Sequence, residues 1–361
     1  MSSIIAKINE LKVNFEKGQL IGVDVGLSSV KIALLGDAKK GKFRLEKFMT
    51  YPLSEAVVIE DEVQRPEEVV SAIEYILKEQ KIQKKISCLG MSGPNTVTKR
   101  IQVPSGAKDE VEDNILWESE QYIPFGADDA EIGFSIVHED GDVVDAIVGA
   151  VRVDIADSYI NILKAAGLST KVVDLNVFAL SNMFESIVED RIDEISDKGA
   201  VLIDFGAQYT TVIVYKNGAP VLTKEIGIGG VLLTEEIQRT MGVSYEEAED
   251  LKINGDENGN LPEEIIELLE SHLLKLTGEL RKILNFYIAV GSSDQVKFMF
   301  MTGGSSRLPG IKEALLDLID IEPEELDPFE AITVKGKFDE DELEEIRATG
   351  ITAIGLAMRS A

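Results

Sequence analysis

An α/β fold built from two duplicated halves is predicted by three stretches of this sequence. Residues 201–215 alternate β-branched residues about an Asp-x-Gly turn, with Asp204, Phe205 and Gly206 at its centre, and read as two half-buried strands. A second copy lies upstream at residues 21–35, where Asp24 and Gly26 match Asp204 and Gly206. The third stretch is a buried strand, Val296 to Met301, running into the Gly-rich loop Thr302-Gly303-Gly304-Ser305-Ser306-Arg307-Leu308-Pro309-Gly310. Matched turns half a chain apart imply a duplicated domain with a nucleotide held between the halves.

The 361 residues are enough for two domains with their own cores. Hydrophobic residues make up 44% and charged residues 28%, the balance of a folded chain without a long uncharged run. No signal peptide is expected, because Lys7, Glu10, Lys12 and Glu16 interrupt the apolar residues of the N-terminus. With 36 basic and 65 acidic residues the net charge is −29, which repels nucleic acid and anionic lipid. The charge is uneven: residues 235–275 carry 12 acidic and 3 basic side chains, residues 320–345 carry 12 and 2, and residues 1–50 carry 5 and 9. Such runs read either as solvated acidic helices or as a face that selects a basic partner. One cysteine, Cys88, excludes an intramolecular disulfide and two-cysteine metal frameworks, and His138 and His272 are too few for a histidine zinc site.

Taken in order, residues 3–17 place Ile4, Ile5, Ile8, Leu11 and Phe15 at helical spacing, an amphipathic arm (1–19) read as packing or partner-docking. The first hairpin follows, then a strand from Lys42 to Tyr51. A helix starts behind Pro66 with Val69, Val70, Ile73, Ile76 and Leu77 as its stripe, and Ile86 to Met91 returns as a strand. Residues 97–170 form a small α+β module: a strand at Val97–Val103, a helix from Asp109 to Tyr122, a hairpin turning at Glu139 to Asp142, and a helix from Asp154 to Ala166. Lys171 to Leu175 resumes the large sheet and Asn176 opens a helix through Val188. After the central hairpin, Asn217-Gly218 turns into Val221–Ile226. Gly227 to Gly230 opens another helix, and Ser244 with Glu247 makes a capping box for the next. A long helix after Pro262 carries His272 on its apolar face, a core-edge histidine. The last helix, Gly350 to Arg359, has Ala353, Gly355 and Ala357, which permit close packing. The domains expected are 20–96 with 171–197 and 346–361, the insert 97–170, and 198–345.

The turns point to phosphate chemistry. A hairpin turn built on Gly26 or Gly206 can offer backbone N–H groups with no side chain in the way. Ser28, Ser29, Thr210 and Thr211 add hydroxyl donors, Gln208 an amide and Lys31 a cation. Asp24 and Asp204 can each hold Mg²⁺ through waters, since magnesium sheds its hydration shell reluctantly.

Together the two hairpins and the Gly-Gly-Ser-Ser loop resemble the two phosphate loops and the adenosine loop of the superfamily of actin, hexokinase and heat-shock chaperone ATPases. That resemblance implies an actin-like, ribonuclease-H-like pair of domains around an ATP (or ADP) cleft, with the helices at 176–188 and 350–359 as the connecting helices. Gly303, Gly304, Ser305 and Arg307 then fall at the adenosine, and Glu249 and Lys252 where related chains contact the ribose, though surface charge also explains that pair. Finer motifs resemble the PilM family of type IV pilus assembly proteins: Trp117 to Phe125 (Trp-Glu-Ser-Glu-Gln-Tyr-Ile-Pro-Phe), Val173 to Leu180, Lys224 to Gly230, Ser244 to Lys252 and Ile354 to Arg359. The 97–170 module sits where that family and the cell-division protein FtsA carry a small subdomain.

The resemblance implies a cytoplasmic ATP-binding scaffold, peripheral to the inner membrane. It would dock the N-terminal cytoplasmic tail of PilN, a bitopic membrane protein, beside the small subdomain, and link other platform proteins to the motor. No nucleic acid and no direct membrane insertion are expected. Hydrolysing members carry an acid or Gln at the step into the first connecting helix, where alignment puts Asn176, so slow or negligible turnover is expected. A shifted alignment would restore an acid at Asp174, whose alternative is a structural carboxylate; Asp204 completes the catalytic candidates. Two rivals remain: an ATPase or small-molecule kinase, and an FtsA-like filament former, which would carry a tail beyond the last helix where this sequence ends at Ala361.

Overall fold

The computed structural model describes residues 20–37, 42–256, 258–289, 296–336 and 338–360; the N-terminal arm lies outside the described residues. The chain divides into two units. Met1–Ile192, Gly218–Val221 and Asp327–Ala361 form one, and Asp193–Asn217 with Leu222–Leu326 the other.

The first unit is built on β1 (Ile21–Val25), β2 (Ser29–Asp37), β3 (Phe43–Pro52), a small hairpin of β4 (Val58–Ile59) and β5 (Glu62–Val63), α1 (Pro66–Glu79) and β6 (Ile86–Met91). β1 pairs antiparallel with β2, in register Asp24 to Lys31, and parallel with β6. Every residue of β1 is buried, as a strand covered on both faces requires. The small module follows: β7 (Thr96–Pro104), α2 (Lys108–Ser119), β8 (Ala130–Asp140), β9 (Val143–Arg152) and α3 (Val153–Ala165). Its sheet runs β7-β9-β8. Val111 and Ile115 of α2 cover Ile101, Val103, Val144, Ala146 and Val148 on one face. Arg100 grips the Asp145 carboxylate, with Nε 2.9 Å from both oxygens.

The large sheet resumes at β10 (Ser169–Leu175), which leads directly into α4 (Asn176–Ile187). Most of the second unit follows in order: α5 (Ile192–Lys198), β11 (Ala200–Phe205), β12 (Thr210–Lys216), β13 (Ala219–Ile226, its first three residues grouped with the first unit), α6 (Gly230–Met241), α7 (Tyr245–Asn254), α8 (Glu263–Ala289), β14 (Phe298–Thr302), α9 (Ile311–Ile319) and β15 (Pro323–Glu325). The chain then returns to the first unit with β16 (Thr333–Val334), α10 (Glu340–Thr349) and α11 (Ile351–Ala357).

Duplication is visible in the strand order. The first sheet reads β10-β6-β1-β2-β3 with β16 added beyond β3, and the second reads β15-β14-β11-β12-β13. In each, the strand bearing the Asp-x-Gly turn pairs antiparallel with its successor and parallel with the strand on its other side.

α11 is apolar all round and buried along its whole length, the pattern of a helix with packing on every side. Burial of Ile351, Ile354 and Leu356 contributes about 1.5–3 kcal/mol each. The capping box at Ser244 forms as the sequence implied: its Oγ accepts from Glu247 N–H at 3.2 Å, and Glu247 Oε2 accepts from Ser244 N–H at 2.9 Å. Residues 327–345 differ from the domain division expected from sequence. They belong with the first unit, because Thr333 and Val334 pair with Arg44 and Leu45 of β3 and Arg347 Nε reaches Asp327 Oδ2 at 3.3 Å.

Candidate functional site

In both turns the glycine N–H closes the hairpin. Gly26 donates to the Ser29 carbonyl at 3.0 Å and Gly206 to the Tyr209 carbonyl at 3.0 Å. Those two amides are therefore taken up by the turns. Ser28 is exposed at the tip, whereas Ser29 is buried and Lys31 half-buried on the return strand.

Within the first unit Asp24 is buried and carries two contacts. Its Oδ2 accepts from Lys31 Nζ and its Oδ1 from Asn176 Nδ2, both at 3.4 Å. Asn176 thus stands at the strand-to-helix step facing the hairpin, and its own Oδ1 is buried with no hydrogen-bond partner. Gly90 makes the room: a Cβ there would sit 2.2 Å from that oxygen. Asp174, the other candidate, is engaged elsewhere. Arg359 Nε donates to its Oδ2 at 2.5 Å, and the Leu175 N–H to its Oδ1 at 2.9 Å. Burial pushes the Asp174 carboxyl up, against the pull of Arg359. An acid so tied is the structural alternative raised by the sequence; Asn176, Asp24 and Lys31 form the cluster.

The second unit has a matching cluster around Asp204, which is half-buried opposite Thr211 in register. Gly303 follows β14 with φ +94°, and a Cβ there would lie 2.4 Å from Asp204 Oδ1 and 2.5 Å from the Phe205 carbonyl oxygen. Only glycine fits such a position. Ser305 Oγ donates to the Gly206 carbonyl at 3.1 Å, which ties the Gly-rich loop to the hairpin turn. The Thr210 hydroxyl is not open to a ligand: it is buried and donates to the Ile228 carbonyl at 2.6 Å. Gln208 and Thr211 are half-buried, while Gly304 and Arg307 are exposed on the loop that follows Gly303.

Glu249 and Lys252 are not loose surface charges. Lys252 is 9% exposed, and its Nζ lies 2.6 Å from Glu249 Oε2, 2.9 Å from Thr234 Oγ1 and 3.3 Å from the Gly230 carbonyl. Their i, i+3 spacing on α7 sets them side by side, and the Gly230 carbonyl and Thr234 of α6 complete the knot. Sequence reasoning missed Gly90, Thr234 and Arg359, the partner of Asp174. Gly90 left one signal, a glycine interrupting an apolar strand.

A family model described as Type IV pilus assembly protein PilM matches residues 22–361. The solved structure of a PilM-PilN type IV pilus biogenesis complex is 26% identical, covers 95% of this chain and 98% of that chain, and has a TM-score of 0.83. The ethanolamine utilization protein EutJ from Carboxydothermus hydrogenoformans shares the fold, with a TM-score of 0.58 at 14% identity over 98% of this chain and 94% of its own. Cell division protein FtsA of Staphylococcus epidermidis is 24% identical over 198 residues, 49% of this chain and 40% of that relative, so the match spans about two fifths of its length. The actin-like α/β fold expected from the sequence is the fold found.

Proposed function

This chain belongs to the PilM family of type IV pilus assembly proteins, and from that premise we propose an actin-like scaffold that docks the N-terminal cytoplasmic tail of a PilN-type inner-membrane protein. The observation that carries the reading is the agreement over 95% of the chain with the PilM-PilN complex. In this reading the protein links the membrane platform to the motor. It stays on the cytoplasmic side, held at the inner membrane by its partner. Among the described residues no helix is long and apolar enough to cross a membrane.

The scaffold binds ATP or ADP with Mg²⁺. The residues present fit such a ligand: Gly303 lets the Gly-rich loop pack directly on Asp204 and Phe205, and Asn176 Oδ1 is a buried acceptor without a partner. Asp24 in the first unit and Asp204 in the second would each be able to hold the metal through water, and the metal would supply charge neutralisation for the phosphates. Among the described residues no three His, Cys, Asp or Glu side chains gather as a metal cage, so water would complete the shell. Ser28, Ser29, Lys31, Gln208 and Thr211 are assigned to the phosphates, Gly304, Ser305 and Arg307 to the adenosine, and Glu249 and Lys252 to the ribose. Hydrolysis is slow, because Asn176 can orient a water but cannot take its proton and Asp174 is held by Arg359.

The test is calorimetric titration of a synthetic PilN-type N-terminal peptide into the full chain, with and without Mg-ATP, beside a phosphate-release assay. Saturable peptide binding is expected, with phosphate release no greater than that of Asp204→Ala. No peptide binding together with release abolished by Asp204→Ala would make the protein an ATPase instead.

A further inference from the structure

We propose that Arg359 is a positioning residue for the triphosphate end of the nucleotide, acting through Asp174 on the contact between Asn176 and Asp24. The inference rests on the reading of Asp24 and Asn176 as the phosphate and magnesium end of the site.

The contact needs outside support. Asn176 Nδ2 is 3.4 Å from Asp24 Oδ1, at the outer limit of a hydrogen bond and too long to fix either group. Asn176 Oδ1 has no partner, so neither end of the amide is anchored by a strong bond. Its direction is therefore set by the backbone where β10 passes into α4. That backbone is pinned by Asp174, two residues before Asn176. One carboxylate oxygen takes the Leu175 N–H at 2.9 Å and the other takes Arg359 Nε at 2.5 Å. The Asp174 side chain is 9% exposed and that of Arg359 34%, so the carboxylate end of the pair is shielded while the guanidinium stays partly in solvent.

The Arg359 backbone is tied to the last helix. Its N–H donates to the Leu356 carbonyl at 3.2 Å, which carries the buried α11 into the residue that grips Asp174. Three links thus run in series from α11 through Arg359 and Asp174 to the Asn176 amide. A group that orients a ligand-contacting side chain from behind typically changes affinity by about 10- to 100-fold when removed. The nucleotide's adenosine end lies outside this chain of contacts.

The test is titration of fluorescent ATP and ADP analogues, with Mg²⁺, into the full chain and four variants, with thermal melting of each. Arg359→Met and Asp174→Asn are expected to weaken ATP by about tenfold and ADP by less than about twofold. Arg359→Lys, which keeps the charge, should return ATP affinity to within about threefold of wild type. Asp174→Asn keeps the size of the side chain and its Oδ1 acceptor for the Leu175 N–H, and so keeps the test alive where Arg359→Met fails to fold. Equal losses for ATP and ADP, or no loss, overturn the proposal as a merely structural pair. Asp24→Ala separates the two readings. If it leaves ATP binding intact, the site reading fails and this inference with it; if it abolishes ATP binding while the Arg359 and Asp174 variants behave as wild type, only the inference fails.

Discussion

Gly355 of α11 and Ala179 of α4 approach so closely that a Cβ on Gly355 would lie 2.2 Å from the Ala179 carbonyl oxygen. The obstacle is backbone and cannot rotate away. Gly355→Val is therefore expected to part the two helices at a cost of about 1–3 kcal/mol or more. Thermal melting should show a drop of several degrees, and an unchanged midpoint would mean the helices are free to slide.

Gly303 is constrained twice, by its φ of +94° and by the atoms of Asp204 and Phe205 around it. Gly303→Ala should displace the Asp204 carboxylate and weaken ATP about tenfold or more, measured by nucleotide titration. Retained affinity would detach Asp204 from the ligand.

Gly278 is the opposite case. It sits exposed within α8 with nothing within 4 Å of an added Cβ. Gly278→Ala should stabilise the chain by about 0.5–1 kcal/mol through helix propensity alone, read as a higher denaturation midpoint with nucleotide affinity unchanged.

His272 is buried on α8, and burial lowers its pKa below 6.5; Glu236 of α6 pulls it up, while Lys275 and Lys252 push it down. The unfolded chain therefore binds this proton more readily than the folded one. The stability due to neutral His272 is full above about pH 6.5 and is lost as pH falls through that value toward the folded pKa. Chemical denaturation of wild type between pH 7 and pH 5 should show a decline that His272→Gln reduces. Parallel curves would mean that the imidazole reaches solvent before it protonates.

The duplicated sheets were legible because their signals are local: an Asp-x-Gly turn between β-branched runs, and a Gly-rich loop after a buried strand. Asp24, Asp204 and Gly303 could be located on those turns and that loop for the same reason, their assignment to a ligand remaining a proposal. β15 and β16 were not, since strands of three and two residues carry no periodicity. Without β16, residues 327–345 had nothing in sequence to attach them to the first unit. The Asp174 to Arg359 pair spans 185 residues, so that contact had no local signal in the sequence. Thr210 was misleading in the other direction: a hydroxyl beside a phosphate-type turn reads as a donor to ligand, yet it closes the loop at Ile228.

The position of α11 has a consequence for how the protein is made. β1 and β6 emerge early from the ribosome, but the helix that belongs with them is encoded far downstream. At about 5–20 residues per second, the nascent first sheet waits on the order of tens of seconds with the surface around Leu20 and Cys88 uncovered. During that interval the apolar face is open to chaperones and to neighbouring nascent chains. A ribosome stalled before residue 351 would leave an aggregation-prone product, one that quality control can recognise by that exposed face.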